Sequence, residues 1–72
     1  MLETMPISEK LKMLRDRRGL TLDELAEQTG LSRSALSNYE TNESKEVSQF
    51  ALVTLAKFYG VSTDYLLGLS AL

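Results

Sequence analysis

Cysteine and histidine are both absent from this 72-residue chain, and proline occurs once. Their absence excludes disulfides, thiolate nucleophiles and imidazole bases, and it removes the usual zinc ligands. Any remaining chemistry would fall to carboxylates, lysines and hydroxyls, but no carboxylate pair or activated nucleophile is recognisable in the sequence. We therefore expect no enzyme and no metal or cofactor site.

Long apolar runs are missing as well. No segment approaches the about 20 apolar residues of a membrane span, and the start MLETMPISEK lacks the basic and apolar regions of a signal peptide. We expect a soluble, cytoplasmic chain with no membrane partner. The length fits a single domain, residues 1–72, with a small core of the kind that short helices can build.

Positive charge is scarce overall and unevenly distributed. Eight basic and ten acidic residues give a net charge of −2, whereas nucleic-acid-binding domains are usually basic. Between Lys10 and Arg18, however, five basic residues stand beside a single acidic one. This local excess is compatible with a nucleic-acid contact and equally with an ordinary solvated helix face.

What the sequence does contain is helical periodicity, with no strand alternation and no internal repeat. Glycines stand where periodic segments end, and serine or threonine stands where they begin, as expected of helix caps. The pattern predicts an all-α fold with helices at about residues 7–18, 22–29, 33–40, 49–59 and 63–67. The predicted core consists of Leu11, Leu14, Leu25, Ala26, Leu36, Leu52, Leu55 and Leu66.

Capping residues are predicted for each helix. Ser8 or a neighbour begins the first, and TLDE, starting at Thr21, is a capping box in which hydroxyl and glutamate each accept from the other residue's backbone N–H. Ser32 is placed to cap the third helix, and Asn42 to end it in a left-handed turn. Ser48 and Ser62 are placed to cap the last two helices.

The second and third predicted helices are separated by only about three residues around Gly30. So short a link makes them cross steeply, and a small residue such as Ala26 lets the third helix approach the second. Leu36 and Tyr39 then serve as core anchors of the third helix. These features together predict a helix-turn-helix.

With these motifs the chain resembles the lambda-repressor/Cro-like helix-turn-helix family, also called the XRE family, from about Ile7 to Gly68. The likeness is carried by LTLDELAEQTGLSRSALSNYE, LKMLRDRRGL and LAKFYGVSTDYLLG. It implies a compact five-helix domain that binds double-stranded DNA. In this family the third helix enters the major groove with its N-terminal residues against base edges, while the second crosses the backbone.

The resemblance also implies roles for particular residues. Arg33 is expected to bind guanine and Asn38 adenine through paired hydrogen bonds, and Arg15 is expected to form a structural ion pair with Glu40. The alternative for Arg33, Asn38 and the neighbouring serines is an ordinary solvated surface. Ser37 could point either to solvent or toward the groove, and the sequence does not decide between the two. The expected DNA-binding residues are Thr21, Ser32, Arg33, Ser34, Ser37, Asn38 and Lys45.

Two features depart from the family pattern. Leu22 stands where relatives often have a glutamine that binds phosphate and braces the third helix. The loop ETNESKEVS after the third helix is acidic, and Glu43 and Glu46 would be repelled by phosphates if they faced the DNA backbone. Both departures bear on DNA binding more than on the fold.

The favoured function is a sequence-specific DNA-binding transcriptional regulator, a repressor that binds a palindromic operator as a homodimer. A second hypothesis, favoured by the acidic loop, is a helix-turn-helix module whose partner is a protein, such as an antitoxin or an antirepressor-like regulator. The apolar C-terminal residues are expected either to dimerise the chain or simply to complete the core. They are Tyr65, Leu66, Leu67 and Leu69.

Overall fold

The computed structural model describes residues 5–41 and 47–69, and all regular structure within them is helical. The all-α, five-helix fold is therefore confirmed for the described part of the chain, whose Cα extents are 28 × 23 × 20 Å. The first helix ends one residue earlier and the third one residue later than the sequence pattern suggested. The helices are α1 (Ile7–Arg17), α2 (Leu22–Thr29), α3 (Arg33–Thr41), α4 (Gln49–Tyr59) and α5 (Thr63–Leu67).

Side-chain caps fix the start of most helices. The Thr21 hydroxyl accepts a hydrogen bond from the Glu24 backbone N–H at 3.1 Å, and the Glu24 carboxylate accepts from the Thr21 N–H at 2.8 Å, which confirms the capping box. The Ser48 and Ser62 hydroxyls accept from N–H groups in the first turns of α4 and α5, at 3.2 and 2.9 Å. These short-range bonds satisfy N–H groups that have no partner inside the helix.

Helix α1 begins differently, because Pro6 precedes it and no side chain caps it. The Pro6 carbonyl accepts from the N–H groups of Glu9 and Lys10, both at 3.1 Å. Ser8 lies inside the first turn and is only 2% exposed. The helix therefore starts at a neighbour of Ser8 rather than at Ser8 itself.

One core joins all the helices. Leu14, Ala26 and Leu52, three of the predicted core residues, are only partly buried and pack around it, whereas Tyr59 and Tyr65 belong to the buried cluster. Aromatic rings therefore fill part of the core beside the leucines. The fully buried cluster consists of Leu11, Leu25, Leu36, Leu55, Ala56, Tyr59, Tyr65 and Leu66.

Lys10 corrects the picture of α1 as a solvated basic face. Its side chain is completely buried, its Nζ donates to the Tyr65 carbonyl at 2.8 Å, and it lies 4.9 Å from the centroid of the Tyr65 ring. The last carbonyls of a helix lack partners within that helix and carry partial negative charge, so a lysine is favourable there. Lys10 consequently ties α1 to α5, and the exposed basic residues of this segment are Lys12, Arg17 and Arg18.

The apolar C-terminal residues divide between core and surface. Tyr65 and Leu66 are buried, whereas Leu67 is 51% and Leu69 is 73% exposed. Phe50, at the start of α4, is also largely exposed. The core is therefore completed by two of the four residues, and the other two remain at the surface.

Candidate nucleic-acid interface

The turn between α2 and α3 is built from local hydrogen bonds. Gly30 has the left-handed φ of 78°, and its N–H donates to the Ala26 carbonyl at 2.9 Å. A residue with a Cβ would be strained by about 1–2 kcal/mol in that conformation. The Thr29 hydroxyl accepts from the Leu31 N–H at 3.3 Å, and the Ser32 hydroxyl accepts from the first turn of α3 at 3.0 Å. These bonds set the residue at which α3 begins.

Helix α3 has a buried side and a polar side. Leu36 is 1% exposed and belongs to the core. Ser34, Asn38 and Thr41 are exposed at the i, i+4, i+7 spacing of one helix face, and Arg33 is exposed at the first position of the helix. We call Arg33, Ser34 and Asn38 the α3 polar surface. The structure thus brings these three predicted residues to solvent on one short helix, while Ser37 is half-buried.

The remaining predicted contacts lie around this helix. Thr21 and Ser32 are exposed at the starts of α2 and α3, where each hydroxyl oxygen accepts a capping bond. A hydroxyl that accepts one bond can still donate another, so both retain the ability to bind a phosphate oxygen. Lys45 lies outside the described residues, as do Asn42, Glu43 and Glu46.

An ion pair that sequence reasoning missed joins the two helices of the motif. Arg33 Nε lies 2.8 Å from Asp23 Oδ1, and both side chains are exposed. From the sequence alone, Asp23 is expected only to be a carboxylate in the first turn of α2, where it complements the partial positive charge of a helix start. Its pairing depends on how α2 and α3 pack, so opposite charge at these two positions becomes a signal only once the helix-turn-helix has been recognised.

A second ion pair, between Arg15 and Glu40, links α1 to the end of α3. Arg15 Nε donates to Glu40 Oε1 and Oε2 at 3.0 and 2.9 Å, and Arg15 Nη2 donates to Oε1 at 2.9 Å. Arg15 Nη1 also donates to the Leu20 carbonyl at 2.8 Å. The two side chains are 15% and 5% exposed, and the hydrogen bonds to Glu40 raise the pKa of Arg15 above its ordinary value. Glu40 is thus turned toward α1 and away from the α3 polar surface.

Leu22 occupies the position where a glutamine would brace α3. Its side chain is half-buried and packs against the core instead. In this chain the contact from α2 to the start of α3 comes from Asp23, the next residue along, through its ion pair with Arg33.

The aromatic side chains near α1 serve packing. Tyr59 is buried, and Phe58 and Tyr39 are partly buried against the core. The Arg18 guanidinium lies over the rings of Phe58 and Tyr59, 5.2 and 5.6 Å from their centroids. The buried Tyr59 hydroxyl has no hydrogen-bond partner within the described structure, and burial raises its pKa to about 12. None of these three rings is presented as a free stacking surface.

Neither a cluster of metal-ligating side chains nor a membrane-spanning helix is found among the described residues. Within residues 5–41 and 47–69, no three His, Cys, Asp or Glu side chains are grouped so as to hold a metal ion. In those ranges, too, every helix falls short of the length and apolar character needed to cross a membrane.

Comparison with known proteins identifies chains of similar sequence. Residues 11–66 match the helix-turn-helix family. The chain is 44% identical over 62 residues to the uncharacterized HTH-type transcriptional regulator YobD of Bacillus subtilis strain 168, covering 86% of this chain and 54% of YobD. It is 39% identical over 64 residues to the HTH-type transcriptional regulator ImmR of the same strain, covering 89% and 50%.

A third similar protein is the HTH-type transcriptional activator BcrR of Enterococcus faecalis, 38% identical over 63 residues, which cover 88% of this chain and 30% of BcrR. The chain therefore spans about half the length of YobD and ImmR, and less than a third of BcrR. In each case the similarity covers most of this chain.

Proposed function

Because the chain belongs to the helix-turn-helix family of the lambda-repressor/Cro-like, or XRE, type, we propose that it is a sequence-specific DNA-binding transcriptional regulator and not an enzyme. The observation that carries the proposal is the α3 polar surface, whose three side chains are exposed on a helix that is anchored in the core by Leu36 on its opposite side. The similar proteins bear the names of transcriptional regulators, which supports the same function.

In the proposed complex, α3 lies in the major groove, which is wide enough for a helix and displays a distinct pattern of donors and acceptors for each base pair. Arg33 donates two hydrogen bonds to O6 and N7 of a guanine. Asn38 pairs with N6 and N7 of an adenine about one turn further along the helix. Ser34 and Ser37 contribute hydrogen bonds to bases or phosphates nearby.

Contacts to the backbone position the helix without reading sequence. Thr21 and Ser32 donate to phosphate oxygens at the starts of their helices, and Lys45 neutralises a phosphate. The buried pair of Arg15 with Glu40 fixes the angle of α3 against α1, since it joins the start of the domain to the end of the reading helix.

We propose further that the chain acts as a repressor and as a homodimer on a palindromic operator. Two copies would place their α3 helices in successive major grooves, one helical turn or about 34 Å apart. Leu67 and Leu69, exposed at the end of α5, are suited to the contact between copies. Repression needs only occupancy of the DNA, whereas activation needs a further surface for the polymerase. We also propose that the chain acts in the cytoplasm, where DNA lies in bacteria such as those of the similar proteins.

Selection of bound sequences from a random duplex pool tests the proposal. We expect enrichment of an inverted repeat whose half-sites are about one helical turn apart, and binding that weakens as salt is raised because counterions are released on binding. Failure to enrich any sequence would overturn the proposal and would favour a protein partner. Enrichment of a single half-site would overturn the dimer alone.

The repressor assignment is tested with a reporter gene. The selected sequence is placed between the promoter elements, and the chain is supplied from a second, inducible gene. Reporter expression is expected to fall as the chain accumulates, and an Arg33→Ala variant produced at the same level provides the control. A rise in expression would make the chain an activator.

A further inference from the structure

The ion pair between Asp23 and Arg33 lies at the place where the proposed interface begins. Asp23 is in the first turn of α2, Arg33 is the first residue of α3, and their side chains are 79% and 59% exposed. The pair therefore spans the two helices of the motif at the end that would face DNA. It contributes little to stability in water, because exposed ion pairs are screened by solvent.

The contact occupies a particular part of the arginine. A guanidinium is planar and carries its five N–H donors in a fixed fork. Asp23 approaches it at Nε, the nitrogen next to the aliphatic stem. The outer end, which carries Nη1 and Nη2, can still present two parallel N–H groups, and these match the two acceptors O6 and N7 of guanine.

We propose that Asp23 is a specificity-determining residue, which positions Arg33 so that the Nη1–Nη2 end of its guanidinium reads a guanine. The inference rests on the proposed function and deepens it. Asp23 does not touch the base; it acts through Arg33, by limiting the orientations that a long and otherwise free side chain can adopt.

Two electrostatic effects make the pair matter more on DNA than in solution. Water is displaced at the interface, and the attraction between opposite charges strengthens as the effective dielectric constant falls. A carboxylate near phosphates is also repelled, so Asp23 is tolerated there as the partner of a cation. Without Asp23, Arg33 is free to turn to a phosphate, which provides affinity without sequence preference.

These effects give the proposal an unusual signature. Removing the Asp23 carboxylate is expected to strengthen binding to DNA of any sequence, because one repulsive charge is lost, while it weakens the preference for one base pair. Removing a residue that merely supported the fold would lower both the affinity for DNA and the preference for that base pair. Removing a residue that competed with DNA for Arg33 would raise the affinity for DNA and leave the base-pair preference unchanged or stronger.

The test uses the full chain and a random duplex pool, with sequences selected by the parent and by four variants. Arg33→Ala defines the relevant position as the base pair at which it lowers the preference most. Glu27→Ala is the matched control, because Glu27 carries the same charge one turn along α2, is exposed, and forms no ion pair in the described part of the chain. The other two variants are Asp23→Ala and the double variant Asp23→Ala/Arg33→Ala.

At the defined base pair, Asp23→Ala is expected to reduce the preference about fivefold, the upper end of the effect of an exposed ion pair. Glu27→Ala is expected to leave it within about twofold, as for a surface substitution without partners. The double variant should have the profile of Arg33→Ala alone, because Asp23 acts only through Arg33. Both single carboxylate variants should bind the unselected pool more tightly than the parent.

The outcomes are distinguishable. If the parent enriches no sequence, the proposed function fails and the inference falls with it. If the parent enriches a sequence and Arg33→Ala loses one position, but Asp23→Ala keeps the parent's preference there, the proposed function stands and the role of Asp23 is refuted. Equal losses in Asp23→Ala and Glu27→Ala, or additive losses in the double variant, would also refute it.

Discussion

Removing one partner of the ion pair between Arg15 and Glu40 should strongly destabilise the domain. Three short N–O contacts join the two groups, and their side chains are only 15% and 5% exposed. Replacing either one with methionine, which keeps the volume and suits a helix, leaves the other charge poorly solvated. We expect each single variant to lose about 3 kcal/mol, the lower end for a halved buried pair, because Arg15 keeps some exposure and its bond to Leu20.

A loss of that size is large relative to the free energy of unfolding of the whole domain. At about 0.05–0.15 kcal/mol per residue, a domain of this size has a free energy of unfolding of only about 4–11 kcal/mol. The double variant Arg15→Met/Glu40→Met removes both charges at once, so it should lose far less than the sum of the single variants. Urea denaturation followed by circular dichroism at 222 nm measures all three. Additive losses, or single losses below about 1 kcal/mol as for exposed pairs, would refute the reasoning.

Three further variants test the packing of the domain by the same denaturation experiment. Leu36→Ala, at a residue that is 1% exposed, should lose about 2–5 kcal/mol from lost burial and the cavity left behind; a loss below about 1 kcal/mol would place Leu36 outside the core. Tyr59→Phe should gain about 1 kcal/mol, because the removed hydroxyl is buried without a partner within the described residues. The pKa of Tyr59 is raised to about 12, so the unfolded chain releases this proton first and the parent loses stability as pH rises from about 10 to about 12. Tyr59→Phe should lack that part of the loss, and an identical pH dependence in both proteins would contradict it. Gly30→Ala should lose about 1–2 kcal/mol from the left-handed φ of 78°, without a clash, since nothing lies within 4 Å of the added Cβ; an unchanged midpoint would show that the turn relaxes.

Much of the fold could be predicted because its signals are local. The capping box at Thr21 and the cap at Ser48 involve residues three apart, so the sequence alone shows both partners. Helix periodicity likewise identifies Leu25 and Leu36 as core residues before any packing is known. The end of α2 at Gly30 follows from the one residue type that adopts a left-handed φ without strain.

What could not be predicted depends on contacts between distant segments. Lys10 looks like any exposed helix cation until the end of α5 is placed over it and supplies the Tyr65 carbonyl. Asp23 looks like a first-turn acid until α3 brings Arg33 to 2.8 Å. In both cases one residue type fits two environments, and tertiary packing decides between them.

The candidate site likewise has features that follow from local sequence and features that depend on tertiary packing. Exposure of Ser34 and Asn38 follows from the helix period once Leu36 is assigned to the core. The orientation of Arg33 does not, because a long side chain at the first position of a helix can reach several partners. The base recognition that we propose for this surface therefore depends on geometry that only the folded chain supplies.

The central claim is that α3 reads bases, and the affinities of Arg33→Ala and Asn38→Ala for the selected duplex and for a random duplex test it most directly. Loss of a bidentate base contact costs about 1–3 kcal/mol of discrimination. Each variant should therefore lose about fivefold to a hundredfold of the parent's preference for the selected duplex. Its melting temperature should stay close to the parent's, because both residues are exposed. If both variants keep the parent's ratio of affinities, α3 is not the reading helix and the account is contradicted.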